Sequence, residues 1–307
     1  MGLSVSNGNL SGWNIETNIS LLHHTLMNKQ APLTLILGST GKIGSRVAVE
    51  LRKLGLPIRT AARSNADVAF DWSRRHCFAH ALEGVGRVFL VAPTLRLDFA
   101  DDVAAFLDEA EAGGVQHVTF LSAYGMEHAP NEVATRSVEL DLRQRKVLGH
   151  TVLRPAWFMQ NFTETFLKPV DGAILVPTGD GTEAFIDAQD IAAVAAITLA
   201  DPLAHVGEAY SLTGPEALSV ADAAAIMSEE TGQAIAHVNL DREAWIAGAI
   251  EHGMPFEYGA VLRQLTETIA SGHGSRPNGT VQKITGTPPR TFRNFAHQNA
   301  SAWRVSK

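Results

Sequence analysis

Three glycines spaced three apart, Gly38, Gly41 and Gly44, are the residues whose pattern most directly implies chemistry in this chain. Glycine lets a backbone turn tightly and approach a ligand where a Cβ would intrude. The apolar run Leu33 to Leu37 enters the triplet. An amphipathic segment leaves it, with Val47, Leu51 and Leu54 on one face and Arg46, Glu50 and Lys53 on the other. A helix starting there points unpaired N–H groups and the positive end of its dipole at the ligand, an arrangement suited to a diphosphate. The spacing GxxGxxG is not the dehydrogenase fingerprint GxGxxG, but strand–turn–helix is the setting that gives such a loop meaning. We therefore expect a dinucleotide against Gly38, Thr40, Gly41, Ile43 and Gly44. Lys42, inside the loop, is positioned to reach a phosphate. It lacks the hydroxyl residue and spacer of a P-loop, which disfavours a nucleoside triphosphatase.

Selection of NAD usually rests on Asp or Glu at the end of the second strand, about 20 residues past the glycines. Here that strand ends Thr60-Ala61-Ala62-Arg63-Ser64, with no acid. Arg63 suits a 2′-phosphate, and a charge-assisted hydrogen bond of about 1.5–3 kcal/mol would favour NADP(H) over NAD(H). The other reading of Arg63 is a solvated arginine after a strand. Asp71 and Trp72, ending a third strand, are candidates for the adenine side, although Trp72 reads equally well as a core residue.

The catalytic centre is notable for a missing pair. Many reductases of this architecture use Tyr with Lys four residues on. Tyr124, Tyr210 and Tyr258 are followed at that distance by His128, Gly214 and Leu262. Reduction of an ordinary ketone by that machinery is disfavoured. Hydride transfer to an acceptor that is already electron-poor survives the loss, because an iminium carbon becomes a neutral amine with no proton added. Binding without turnover survives it too. Ser122, Tyr124, Glu127 and His128, just past the fifth strand, are proton-donor candidates, each of which could instead be a loop or structural group. Trp157, Phe158, Met159, Phe162 and Phe166 read as either core or the wall of an apolar pocket, with Phe256 and Tyr258 opposite. Tyr124, Trp157, Phe158, Asn161 and Phe162 are the expected substrate contacts. His76 and His80 share a helical face but give two metal ligands at most, so no metal is expected. Ser122 sits in no GxSxG elbow, so hydrolysis is unsupported.

Elements that alternate must position these groups. Strands are predicted at 33–37, 57–62, 67–71, 86–91, 117–122 and 150–154, and helices at 42–54, 74–82, 97–112 and 132–148. This is the pattern of a Rossmann-like, doubly wound parallel α/β sheet. Ala92-Pro93-Thr94, Ser122-Ala123-Tyr124 and Arg154-Pro155-Ala156 close later strands, the edge where such folds bind ligands. Ala92, Pro93, Ser122, Ala123 and Pro155 thus join Ser64 as candidate cofactor contacts.

Beyond residue 156 the alternation breaks down. Short strands at 173–176, 184–187, 208–213 and 235–239 mix with helices at 188–200, 219–231, 241–252, 255–272 and 291–303, the last with Thr291 as N-cap. We expect a dinucleotide-binding domain over 31–156 and a smaller mixed substrate lobe over 157–307. The two interleave at about 183–213.

The 307 residues can bury a full core. A net charge of −7 with no long basic run argues against nucleic acid. No apolar run nears the ~20 residues that span a bilayer. One cysteine, Cys77, suits a reducing, cytoplasmic setting. Residues 1–30, rich in Ser, Asn and Gly, make a poor signal peptide and read as a flexible extension, with Met27 an alternative start.

Together, Ile36–Gly44, Phe70–Trp72, Arg87–Pro93, Thr151–Phe162, Phe185–Ile191 and Thr285–Phe295 resemble the NmrA-like branch of the atypical short-chain dehydrogenases/reductases. The nearest type is that of the ergot-alkaloid reductases. The resemblance runs from about residue 32 to 303. It implies NADPH-dependent reduction of an iminium, with quinone and dye reductases and non-catalytic nucleotide-sensing regulators among the relatives. It matches Gly38, Thr40, Gly41, Ile43 and Gly44 to the phosphate loop, Arg63 to the basic residue after the second strand and Asp71-Trp72 to the adenine side. The expected function is hydride transfer from NADPH to an iminium, quinone or conjugated C=C. The acceptor would be small and hydrophobic or aromatic, and the protein a monomer or homodimer. The alternative is an NADP(H)-sensing regulator acting through a protein partner.

Overall fold

The computed structural model describes residues 31–304, so the extension expected over 1–30 lies outside the described residues. Seven strands form one parallel sheet: β1 (Leu33–Leu37), β2 (Ile58–Ala62), β3 (Val68–Ala69), β4 (Val85–Val91), β5 (His117–Leu121), β6 (Gly149–Pro155) and, much later in the chain, β9 (Ala209–Leu212). Their spatial order is β3-β2-β1-β4-β5-β6-β9. Order reverses between β1 and β4, the switch point at which doubly wound sheets open a crevice. Apart from the buried Thr34, β1 is apolar throughout, which follows from burial on both faces.

Helices cover both sides. Helices α1 (Gly44–Lys53) and α6 (Ala188–Ala200) pack on one face through Val47, Leu51, Ile191 and Ala195. Helices α2 (Phe78–Leu82), α3 (Ala100–Ala112) and α4 (Ala134–Gln144) cover the other through Phe78, Phe106 and Val138. Leu54, expected on the apolar face of α1, falls at its C-cap and is exposed. The helix predicted at 132–148 stops at Gln144. There Arg145 turns to extended backbone and spends its guanidinium on Asp141, Asp108 and Glu111, stapling α4 to α3.

The remaining elements are α5 (Asn161–Glu164), β7 (Ala173–Leu175), β8 (Thr182–Glu183), β10 (Leu218–Ser219), α7 (Val220–Thr231), β11 (Ala236–Val238), α8 (Arg242–Glu251), α9 (Gly259–Ala270), α10 (Thr280–Thr285) and α11 (Phe292–Asn299). They form a smaller mixed region around Phe162, Phe185, Met227, Phe292 and Trp303. Ser219 opens α7 with a capping box, and Thr291 caps α11 as its position predicts. The strand predicted at 184–187 forms instead at 182–183. Ile186 makes a single parallel bridge to Phe158, and Gly214 N–H takes the Ala184 carbonyl, so the segment is threaded between neighbours rather than laddered along one. Strand β9 pairs with β6 and α6 lies against α1, so this stretch of the second half builds the first half's sheet layers.

Candidate active site

The glycine loop opens with Gly38 at φ +63°, a conformation glycine adopts without strain. Gly38 then accepts from Gly41 N–H at 2.9 Å. A Cβ at Gly44 would lie 2.3 Å from the Gly38 oxygen, so the start of α1 rests directly on the turn. Ser39 fastens the loop to the end of β2 through its N–H and hydroxyl, both to Ala61 O at 3.2 Å. No side chain caps α1. Ser45 N–H donates to Gly41 O at 3.2 Å and Val47 N–H to Ile43 O at 2.9 Å, and the positive end of the helix dipole lies at this turn, an arrangement whose chemistry suits a diphosphate.

Arg63 and Ser64 follow β2 and are exposed. Among the described residues Arg63 has no hydrogen bond or ion pair, which leaves its guanidinium free for an anion. Asp71, past β3, accepts from Ser73 N–H at 3.0 Å and Ser73 Oγ at 2.8 Å. Those bonds hold its carboxyl below the usual range, with Arg74 and Arg63 adding smaller pulls. Trp72 packs edge-on against Phe70, Phe78 and Phe106, and its Nε1 donates to Val91 O at 3.2 Å. Of the two readings of Trp72, the structural one describes its contacts. Its indole N–H is spent on joining the β3 end to the β4 end, where half-buried Ala92 and Pro93 follow.

Past β5, Ser122 N–H binds Leu153 O at 2.8 Å and Tyr124 N–H binds Pro155 O at 3.0 Å, carrying strand register beyond the sheet. Ser122 is buried, Ala123 and Pro155 form the floor, and Tyr124 and His128 are exposed. Behind this floor lies an ion cluster that sequence reasoning missed. Glu139, fully buried, accepts from Ser122 Oγ at 2.6 Å, Arg154 Nε at 2.8 Å and Nη2 at 2.6 Å, and Arg136 Nη1 at 2.9 Å. Burial pushes its carboxyl up, but these donors outweigh it and hold it below the usual range. Arg154 is raised by the same partner and also lies 3.2 Å from Glu127. A signal existed: Glu139 interrupts the apolar stripe of α4 and Arg154 the apolar run of β6, with opposite charges.

The segment after β6 divides its side chains. Trp157 and Phe158 are half-buried, and Trp157 meets Phe166 edge-on at 5.4 Å. Phe166 meets Trp245 of α8 at 5.8 Å, a contact that sequence reasoning had not singled out. Phe162, expected in the pocket, is instead fully buried against Phe185 and Phe292, and Met159 is buried with it. The single turn of α5 carries this side chain inward. Phe256 is 78% exposed and Tyr258 half-buried on the far side of α8. Lys42, expected at a phosphate, donates to Asn161 Oδ1 at 3.1 Å and lies 3.6 Å from Glu164. Burial lowers its ammonium below the ordinary lysine range, against the pull of Glu164.

The model of the NmrA-like family matches residues 30–276, and the chain belongs to that family. An uncharacterized oxidoreductase of Bacillus subtilis, YesF, is 37% identical over 90% of this chain and 98% of its own length. Agroclavine dehydrogenase of Claviceps fusiformis is 32% identical over 88% and 98%. Among solved structures, an Escherichia coli NADPH-dependent quinone oxidoreductase complexed with NADPH shares the fold with a TM-score of 0.70. It is 21% identical over 87% of this chain and 99% of that one.

Proposed function

We propose that this NmrA-like protein is an NADPH-dependent reductase that delivers hydride to an activated acceptor, an iminium, quinone or conjugated C=C, in an apolar pocket. The observation that carries this reading is the uncapped start of α1, seated so closely on the turn that Gly44 has no room for a Cβ, together with an Arg63 that makes no hydrogen bond or ion pair among the described residues and no acid at the end of β2. Agroclavine dehydrogenase and the quinone oxidoreductase, by name, are enzymes of this reaction class, and the latter's structure holds NADPH.

Bound NADPH supplies the hydride. The chain's own residues do the rest. The N–H groups of the loop and α1 hold the diphosphate, Arg63 the 2′-phosphate, and Ala92, Pro93 and Pro155 bound the crevice floor. Trp157, Phe158, Phe166 and Trp245 exclude water from the acceptor. Among the described residues, none of the three tyrosines has lysine four positions on, so proximity and orientation carry most of the rate. Tyr124 and His128 are the exposed groups able to lend a proton to a quinone or enone oxygen, whereas an iminium needs none.

The test is NADPH consumption against a cyclic iminium, a quinone, a conjugated enone and a cationic dye, with reduced product identified and NADH run in parallel. Turnover on one class with NADPH favoured is the expected result. Tight NADPH binding without turnover on any of them would overturn the reductase reading in favour of a nucleotide-sensing regulator.

A further inference from the structure

Lys42 belongs by sequence to the phosphate loop and by contact to the acceptor region. Its backbone is pinned at the loop, where the carbonyl accepts from Arg46 Nη1 at 2.6 Å. Its side chain, 23% exposed, leaves the sheet layer and ends between Asn161 Oδ1 and Glu164, at the two ends of α5. Thr165 Oγ1 also donates to Asn161 Oδ1 at 3.3 Å, which fixes the amide oxygen toward the ammonium.

Helix α5 is a single turn, tied to its neighbours at Gln160 and Phe162 and exposed at Glu164 and Thr165. Gln160 Nε2 donates to Asp187 Oδ1 at 2.9 Å and its Oε1 accepts from Ala188 N–H at 2.8 Å, which ties the turn to the start of α6. Phe162 is sunk in the lobe core, and its carbonyl takes Trp303 Nε1 at 2.7 Å. Trp157 and Phe158 precede this turn and Phe166 follows it. Whatever moves α5 therefore moves the aromatic wall.

We propose that Lys42 is a positioning residue through which an occupied phosphate loop sets the aromatic wall of the acceptor pocket, by way of Asn161 and Glu164. The inference rests on the dinucleotide reading above. Its physical basis is charge. A half-buried ammonium is under-compensated by one carboxylate 3.6 Å away whose side chain is 44% exposed. A diphosphate held at the amino end of α1, next to the backbone of Lys42, would add a second negative charge to the surroundings of the ammonium. With two anions near the cation, its hold on α5 tightens as the loop fills. Without the lysine, the same diphosphate and Glu164 would repel each other.

Hydrogen exchange on the full chain, with and without saturating NADP+, tests this without turnover. In the wild type, NADP+ protects both the loop at 38–48 and the wall segment at 157–168. Asn161→Ala and the milder Glu164→Gln keep the loop protection and lose most of that at 157–168, and Lys42→Met loses it as well. Protection of 157–168 that persists in all three variants, or that is absent from the wild type while the loop is protected, overturns the coupling. Failure of NADP+ to protect the loop of the wild type overturns the dinucleotide reading itself and the coupling with it.

Discussion

The Ser122 hydroxyl donates its proton to Glu139 at 2.6 Å, and Glu139 is a buried carboxylate whose oxygens are otherwise filled by Arg154 and Arg136. The proton of Ser122 is committed, so Ser122 presents lone pairs to the crevice rather than an acid. This separates Ser122 from the other proton-donor candidates, Tyr124, Glu127 and His128. Ser122→Ala lowers kcat on a quinone by less than about tenfold and leaves its pH profile in place, since the hydroxyl proton is held by Glu139 and is not passed to the acceptor. Tyr124→Phe, if the phenol is the donor, lowers kcat on the quinone but spares an iminium.

Arg63→Ala raises the Kd for NADPH by about ten- to a hundredfold and leaves that for NADH nearly unchanged, the worth of one charge-assisted contact to phosphate. Titration calorimetry with both cofactors decides it. Equal losses with NADPH and NADH would remove the 2′-phosphate assignment.

Gly44→Ala forces a methyl group to within 2.3 Å of the Gly38 oxygen. Overpacking of this kind costs about 1–3 kcal/mol, to be read as a lower urea midpoint. Gly248→Ala is the control. It lies in α8 with open space around its Cβ position and should be neutral or raise stability by up to about 1 kcal/mol.

Replacing Glu139 by Ala leaves Arg154 and Arg136 in a buried site without their carboxylate. Breaking a buried pair on one side costs about 3–5 kcal/mol, to be read as a lower urea midpoint. The carboxyl is held below its ordinary value, so its contribution is present above that value and is lost as pH falls through the depressed one.

His117 is buried at the start of β5, its Nε2 3.1 Å from Thr151 Oγ1, and burial lowers its pKa to about 4, with His150, Arg87 and His205 adding to the shift. The unfolded chain takes up this proton near 6.5 and the folded chain only near 4. Stability from the neutral ring is complete above 6.5 and lost as pH falls toward 4, by roughly 3 kcal/mol. Urea midpoints across this range should fall more steeply for the wild type than for His117→Gln. Equal slopes would show that the ring titrates normally in the fold.

Local pattern determined much of the scaffold. The strands at 33–37 and 117–121 and the helix at 188–200 follow from apolar runs and helical periodicity, because burial on one or both faces writes itself into residue order. The tight turn at Gly38–Gly44 and the exposed place of Arg63 after β2 were legible for the same reason, since both depend on neighbours in sequence. Boundaries at Gln144 and Thr182 were not, because a guanidinium from outside the helix and a threading backbone decided them. The family resemblance carried by these motifs agrees with the family match, but it did not assign individual side chains.

Tertiary structure alone decided the partners of groups that look alike in sequence. It sank Phe162 into the core while leaving Trp157 half-buried, joined Trp72 to the sheet through Val91, and brought Ser122, Glu139 and Arg154 into one cluster. It also turned Lys42 from the expected phosphate toward Asn161, 119 residues away. Such contacts depend on how far chain segments approach in space and on which charges lose their water there. Residue order records neither.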